Sequence, residues 1–191
     1  ELFDLARRHR AWGIRFNIET KVEAAAPHET APREQFVQRA VREIRRSGFM
    51  PNVTVQSFDW GTLMRVREVE PRLPIVALTN GQQFLQQGQP GASPWLGGID
   101  IDDFTGSLQQ RYVDAVLSFG ADAVSPVHGD PQNGKVSDAD YVPFTNQELV
   151  DAAHEAGLAV IPWTIDDAET MEWLIYLGVD GIITDAPDAV F

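Results

Sequence analysis

The stretch Ile14-Arg-Phe-Asn-Ile-Glu-Thr-Lys21 reads as a β-strand with two unlike faces. Successive side chains on a strand point in opposite directions, so Ile14, Phe16 and Ile18 share one face and Arg15, Asn17, Glu19 and Lys21 share the other. The apolar face calls for a covering layer. The opposite face, with an acid and a base two residues apart, suits a metal and phosphate site. Glu19 is a hard oxygen ligand for a divalent metal, Ca2+ or Mg2+, and Lys21 can neutralise a phosphate oxygen. An internal ion pair in the mouth of a barrel accounts for the same two residues, and spacing alone does not separate the readings.

Upstream of this strand, Glu1 to Ala11 has the grouping of an amphipathic helix, with Leu2, Phe3 and Leu5 on one side. Arg7, Arg8 and Arg10 fall near its C-terminal end, where the helix dipole favours cations. Downstream, a loop over 22–32 leads into a helix from Pro32 to Ser47. Its Phe36, Val37, Ala40, Val41 and Ile44 recur at helical spacing, and Gly48 is placed to cap it. Further strands are expected at 53–58, 74–79, 121–125, 159–165 and 181–185, alternating with helices at 60–68, 106–119, 145–156 (capped by Thr145) and 167–178. Two long loops, 82–103 and 126–144, break the rhythm, and segments of that length are more often functional or covering than idle.

Strands that alternate with helices require parallel crossovers, so the class is α/β. A doubly wound nucleotide-binding sheet carries a Gly-rich phosphate loop after its first strand, whereas Thr20-Lys-Val-Glu-Ala-Ala-Ala26 has no glycine. Polar residues recur where strands would line a barrel interior, at Asn17, Glu19, Thr54 and Gln56. The pattern therefore indicates a (β/α)8 TIM barrel. A complete barrel has eight strands and typically about 250 residues. Six strands in 191 residues predict one partial barrel domain over 1–191, strands three to eight, with two unpaired sheet edges.

Composition narrows the function classes. With 43% hydrophobic and 23% charged residues the chain lies in the ordinary globular range. Its net charge of -13, from 15 basic against 28 acidic residues, opposes binding to a nucleic-acid backbone. The acid excess reads chiefly as a solvated surface. No apolar run is long enough to span a bilayer and the start is not leader-like, so a soluble chain is expected. The absence of cysteine excludes disulfides and thiolate metal sites without naming a compartment.

Barrel active sites lie at the C-terminal ends of the strands. That rule marks Glu19, Lys21, Gln56 to Trp60, Thr79, Asn80, Pro126 to His128, Trp163, Thr164, Thr184 and Asp185. Of the histidines, His128 follows a strand at that end, as a substrate contact or an exposed loop residue; His9 and His154 fall on helices and His28 on a loop. Phe58, Trp60 and Trp95 are candidates for an apolar substrate wall, with core packing as the alternative. The acidic runs 100–103 and 130–140 lack EF-hand offsets and read as capping acids.

The set Asn17-Ile-Glu-Thr-Lys21, Val55-Gln-Ser-Phe-Asp59, Pro162-Trp-Thr-Ile165 and Gly178-Val-Asp-Gly-Ile-Ile-Thr-Asp-Ala-Pro187 resembles the C-terminal part of glycerophosphodiester phosphodiesterases, in order and over essentially the whole chain. The resemblance implies a metal-dependent barrel that hydrolyses glycerophosphodiesters to glycerol 3-phosphate and an alcohol. It implies that Glu19 is the third carboxylate metal ligand, that Lys21 lies near the phosphate, and that Trp163 lines the substrate mouth; Phe58, Gln56 and His128 are taken as further substrate contacts from their places at strand ends. The family's opening His-Arg-Gly, its Glu-x-Asp metal pair and its second catalytic His-Asp have no counterpart in these residues. The segment alone is therefore expected to be inactive. A related barrel phosphodiesterase acting on phospholipid head groups, or a catalytically dead barrel used as a binding module, are the competing readings.

Overall fold

The computed structural model describes residues 1–190. The first helix, α1 (Leu2–Arg8), is shorter than the sequence suggests and lies under β1 (Phe16–Glu19). Phe3 meets the Phe16 ring edge-on at 5.1 Å and stacks on Phe49 at 5.9 Å, which is what fixes α1 there. The helix α2 (Arg33–Ser47) ends on Gly48 at φ 76°, a left-handed cap as its position in the sequence predicts. Then follow β2 (Val53–Ser57), α3 (Trp60–Val69) and β3 (Ile75–Thr79).

The first long loop contains a single turn of helix, α4 (Gln82–Leu85), before α5 (Leu108–Ser118) and β4 (Ala123–Pro126). The second contains a short antiparallel hairpin, β5 (Gly129–Asp130) with β6 (Val142–Pro143). The chain closes with α6 (Gln147–Glu155), β7 (Ala159–Val160) and α7 (Ala168–Leu177). The cap of α6 is Asn146, which accepts from the Leu149 amide, and not Thr145. Thr145 is fully buried and donates to the Val127 carbonyl at 3.0 Å, so its hydroxyl is spent across the loop.

The main sheet is parallel, in the order β1-β2-β3-β4-β7, so sequence neighbours are spatial neighbours and the order never reverses. A doubly wound sheet would reverse. Phe16, Val53, Val55, Ile75, Ala77, Val124 and Val160 join one core with the apolar faces of α2, α3, α5, α6 and α7. The helices thus cover one face, as the alternation in the opening strand requires. On the other face a smaller cluster gathers Leu78, Val127 and Trp163, with Phe58 and Ile183 against it.

The sixth expected strand, 181–185, is not a regular strand. It is extended backbone bonded on its β7 side, with the Ile183 amide donating to the Pro162 carbonyl at 2.9 Å and the Ile165 amide to Ile183 at 3.0 Å. A ladder on one side only leaves alternate backbone groups unpaired, so regular geometry is not enforced. β1 has β2 as its one strand partner among the described residues.

Two charged ties hold the helix layer. Fully buried Asp59 takes a two-pronged contact from Arg33, Nε to Oδ2 and Nη2 to Oδ1 both at 2.8 Å. It also accepts from the Thr62 hydroxyl at 2.6 Å and caps α3 through the Gly61 amide. Arg33 opens α2, so this one carboxylate binds the starts of two helices above β2. Asp59→Ala should lower stability by about 2–3 kcal/mol, less than for a fully buried pair because Arg33 is half exposed, and the melting temperature by about 5–10 °C. Thermal unfolding followed by circular dichroism checks this.

At the other end of α3, Glu70 is held by Arg72 and Arg45, each 2.8 Å away. These guanidinium groups, Arg72 foremost, pull the Glu70 carboxyl down to about 2. Because its folded value lies below the unfolded one, its contribution is complete above about pH 4.5 and is lost as pH falls toward 2. Glu70→Gln should therefore be less stable near neutrality and show a shallower loss across that window, as measured by urea unfolding at stepped pH.

Candidate active site at the C-terminal ends of the strands

In register, Glu19 faces Gln56 across β1 and β2, and Asn17 faces Thr54. The inward polar residues form a chain: Thr54 Oγ1 donates to Asn17 Oδ1 at 2.8 Å, and Asn17 Nδ2 donates to Gln56 Oε1. Gln56 is thereby committed to Asn17, below the mouth. Glu19, next along the strand, has a side chain 21% exposed, while Oε1 itself is buried and accepts no hydrogen bond. Lys21 Nζ stands 2.7 Å from that oxygen, close enough for an ion pair but out of line for a hydrogen bond. The Lys21 side chain is three-quarters exposed and free to turn.

Glu19 and Lys21 line a cavity of about 190 Å3 together with Phe58 and Trp95. Thr30 and Glu23 complete the near wall; the Glu23 amide donates to Thr30 Oγ1 at 3.1 Å, which folds the 22–32 loop over the end of β1. The far wall is a run of aromatics. Trp95 stacks on Phe84 at 4.2 Å, Phe84 meets Phe58 edge-on at 5.3 Å, and Phe58 meets Trp163 edge-on at 5.3 Å. Trp163 is fixed by its indole N–H, which donates to the Ser125 carbonyl at 3.0 Å. The structure thus brings together Glu19, Lys21 and Phe58, with Trp163 behind them and Gln56 beneath.

Trp60 is not part of this wall. It is fully buried on the helix side, and its indole N–H donates to the Leu78 carbonyl at 2.9 Å. Trp95 takes the place, and Phe84 and Thr30 are additions that the sequence reading does not contain. Phe84 sits in the single turn α4 and Thr30 in the 22–32 loop, segments too short or irregular for periodicity to mark a side chain.

His128 lies elsewhere, 1% exposed, beside a separate cavity of about 300 Å3 that Asp166 and Asp167 also line. Nε2 is 2.7 Å from the Gln132 carbonyl and Nδ1 is 2.8 Å from the Tyr141 hydroxyl. A carbonyl only accepts, so Nε2 carries the proton and Nδ1 accepts from Tyr141. Burial lowers the pKa of the ring, against the Gln132 carbonyl and the two aspartates, and burial raises Tyr141 to about 12. In this arrangement neither ring nitrogen is open to a ligand, and the exposed loop position is not observed. The imidazole holds the β5–β6 hairpin, with Tyr141 packed so closely over Gly129 that a Cβ there would lie 2.4 Å from its ring.

The other histidines and acids have local partners or lie apart from the cavity. His154 pairs with Asp180 at 2.9 Å, Asp100 caps a short turn, and Asp102 holds Arg111 at 2.6 Å. Thr184 and the Asp185 amide both donate to Asp166 Oδ1, at 3.0 and 2.8 Å. Glu19 has the properties of a hard-cation ligand, an acid oxygen that is buried and accepts no hydrogen bond. It is one ligand only: among the described residues no three His, Cys, Asp or Glu side chains gather as a metal cluster. No helix among them is long and apolar enough to cross a membrane.

Comparison with known proteins gives a consistent result. The model of the glycerophosphoryl diester phosphodiesterase family matches residues 2–189. A glycerophosphodiester phosphodiesterase of Caldanaerobacter subterraneus is 49% identical over 153 residues, covering 80% of this chain and 46% of the relative. The chain therefore spans about half the length of that curated relative. Among solved structures, a Silicibacter pomeroyi protein assigned to the glycerophosphoryl diester phosphodiesterases superposes with a TM-score of 0.70 at 30% identity, over 98% of this chain and 52% of that one. An Oleispira antarctica phosphodiesterase, solved with the product sn-glycerol-3-phosphate, shares the fold with a TM-score of 0.62 at 14% identity, over 99% of this chain and 58% of that one.

Proposed function

The chain belongs to the glycerophosphoryl diester phosphodiesterase family, and we propose that it forms the part of a metal-dependent active site that carries Glu19, Lys21 and the aromatic mouth, in a protein that hydrolyses glycerophosphodiesters to glycerol 3-phosphate and an alcohol. The observation that carries this reading is the Glu19 carboxylate, with one buried oxygen free of hydrogen bonds, set beside Lys21 at the C-terminal end of β1. The product bound by the Oleispira relative supports the substrate class.

On this reading Glu19 is one of several oxygen ligands to Ca2+ or Mg2+. A bound ion supplies positive charge to the phosphoryl oxygens as the diester is attacked. Lys21 turns from Glu19 to a phosphate oxygen and orients it. Phe58, Trp95 and Trp163 seat the carbon skeleton and keep water off the reacting bond, while Gln56 braces the strand from below. Protonation of the leaving oxygen needs a group of suitable pKa within hydrogen-bond reach. None of the four histidines lines this cavity, and on this reading that group and the remaining metal ligands are supplied by other parts of the whole protein.

The one-sided helix layer and unreversed strand order support an arc of a (β/α)8 barrel. Beside β1, Trp12 and Ile14 are 60% and 45% exposed, an apolar surface that further barrel wall would cover. The test is an assay of the whole protein containing this chain, reading glycerol 3-phosphate released from a glycerophosphodiester. Chelation should abolish release and added Ca2+ or Mg2+ should restore it. Undiminished release in chelator would overturn the metal-dependent reading.

A further inference from the structure

A cavity of about 600 Å3 lies outside the Glu19 pocket, between the two long loops. Asn80, Gln82, Gln83, Gln109 and Gln132 all reach its wall, so its polar lining is dominated by side-chain amides. Asn80 donates to Gln83 at 2.7 Å and Gln82 to the Gln87 carbonyl at 2.9 Å. Gln109, on the first turn of α5, and Gln132, in the hairpin loop, make no side-chain hydrogen bond among the described residues and have both donor and acceptor to offer. The apolar side is Val127 and Phe144, which also pack against the cluster containing Trp163 and Phe58. The floor is Gly81, where a Cβ would stand 3.1 Å from Phe144 and 3.4 Å from Val127.

The charge of this lining selects among ligands. It has no cation, so a phosphate would find no opposite charge there, and its single charged residue is Asp130. A quaternary ammonium calls for an aromatic cage, and Phe144 is the one aromatic present. Amides that both donate and accept, facing an apolar wall, match an uncharged alcohol with several hydroxyls on a compact carbon ring or chain. Each hydroxyl both gives and takes a hydrogen bond, and its C–H faces need an apolar surface.

We propose that this amide-lined cavity is a subsite for an uncharged, polyhydroxylated alcohol, the leaving group of the diester cleaved beside Glu19. The assignment to the leaving group rests on the function proposed above; the affinity for a free polyol does not. Val127 lines this cavity and Phe58 the one beside Glu19, and both pack in one cluster with Trp163, so a diester that reached across that cluster would place its phosphate toward Lys21 and its alcohol among the amides.

The test has a binding arm and a kinetic arm. In 15N-resolved spectra of the whole protein containing this chain, free myo-inositol should saturably shift the side-chain amide resonances of Gln109 and Gln132, and choline should not. The variant Gln109→Leu/Gln132→Leu should weaken inositol binding about tenfold, because two hydroxyl partners are removed without a change in fold. In the whole protein the same pair should lower kcat/KM for glycerophosphoinositol about tenfold and leave glycerophosphocholine within about twofold. Absence of inositol shifts, equal shifts with choline, or an unaffected double variant would each overturn the subsite. Should inositol bind as expected while no glycerophosphodiester is cleaved, the subsite stands and the diesterase reading falls. Should both diesters be cleaved with equal sensitivity to the variant, the diesterase reading stands and the subsite falls.

Discussion

Replacing Glu19 with glutamine in the whole protein should raise the Ca2+ or Mg2+ concentration needed for half-maximal release of glycerol 3-phosphate by at least about 10- to 100-fold. Loss of an outer partner of a metal ligand already costs that much affinity, and on the function proposed above the change is to a ligand itself. The substitution keeps shape and removes charge. Oε1 makes no hydrogen bond that the change would break, and Lys21, three-quarters exposed, loses only a solvent-screened ion pair, so the fold should be nearly unaffected. Saturating metal should recover part of the rate. Calorimetric metal titration gives a readout independent of turnover, and an unchanged metal dependence at limiting ion would remove Glu19 from the ligand set.

Much of this arrangement is legible in the sequence because it rests on alternation and on strand ends. The two faces hold over Phe16–Glu19, with Phe16 buried under helices and Asn17 and Glu19 turned the other way, whereas Ile14 precedes the regular strand and is exposed. The order of strands follows from alternation with helices, and the placing of Glu19, Lys21 and Phe58 in one cavity follows from the rule about strand ends. What escapes sequence reading depends on distant partners. Trp60 and Trp95 are both aromatics near a mouth, and only the start of α3 beside Asp59 turns the first into the core. The neutral, buried state of His128 is set by Tyr141 and Gln132, which reach it through a hairpin of two-residue strands that carries no periodic signal.

The loops repeat that lesson on a larger scale. Their length marks 82–103 and 126–144 as covering or functional, and the structure makes them the walls of the amide-lined cavity. Their amides are plain in composition, Gln82, Gln83 and Gln132 within the loops and Asn80 and Gln109 just outside them, but convergence on one space is a property of packing. The Asp59–Arg33 tie is similar: each residue looks like an ordinary end-of-helix charge until α2 and α3 are brought side by side.

The central claim is that these residues hold one carboxylate and the mouth of the site, and that hydrolysis needs further ligands and a proton donor. The most direct measurement is release of glycerol 3-phosphate from glycerophosphocholine and glycerophosphoinositol by the purified 191-residue chain, its folding checked by circular dichroism, at saturating Ca2+ or Mg2+. One carboxylate without a surrounding cluster among the described residues predicts weak metal binding and no release above the enzyme-free blank. Metal-dependent release by this chain alone, abolished by chelation or by Glu19→Gln, would contradict the account, because it would place a complete catalytic set within these residues.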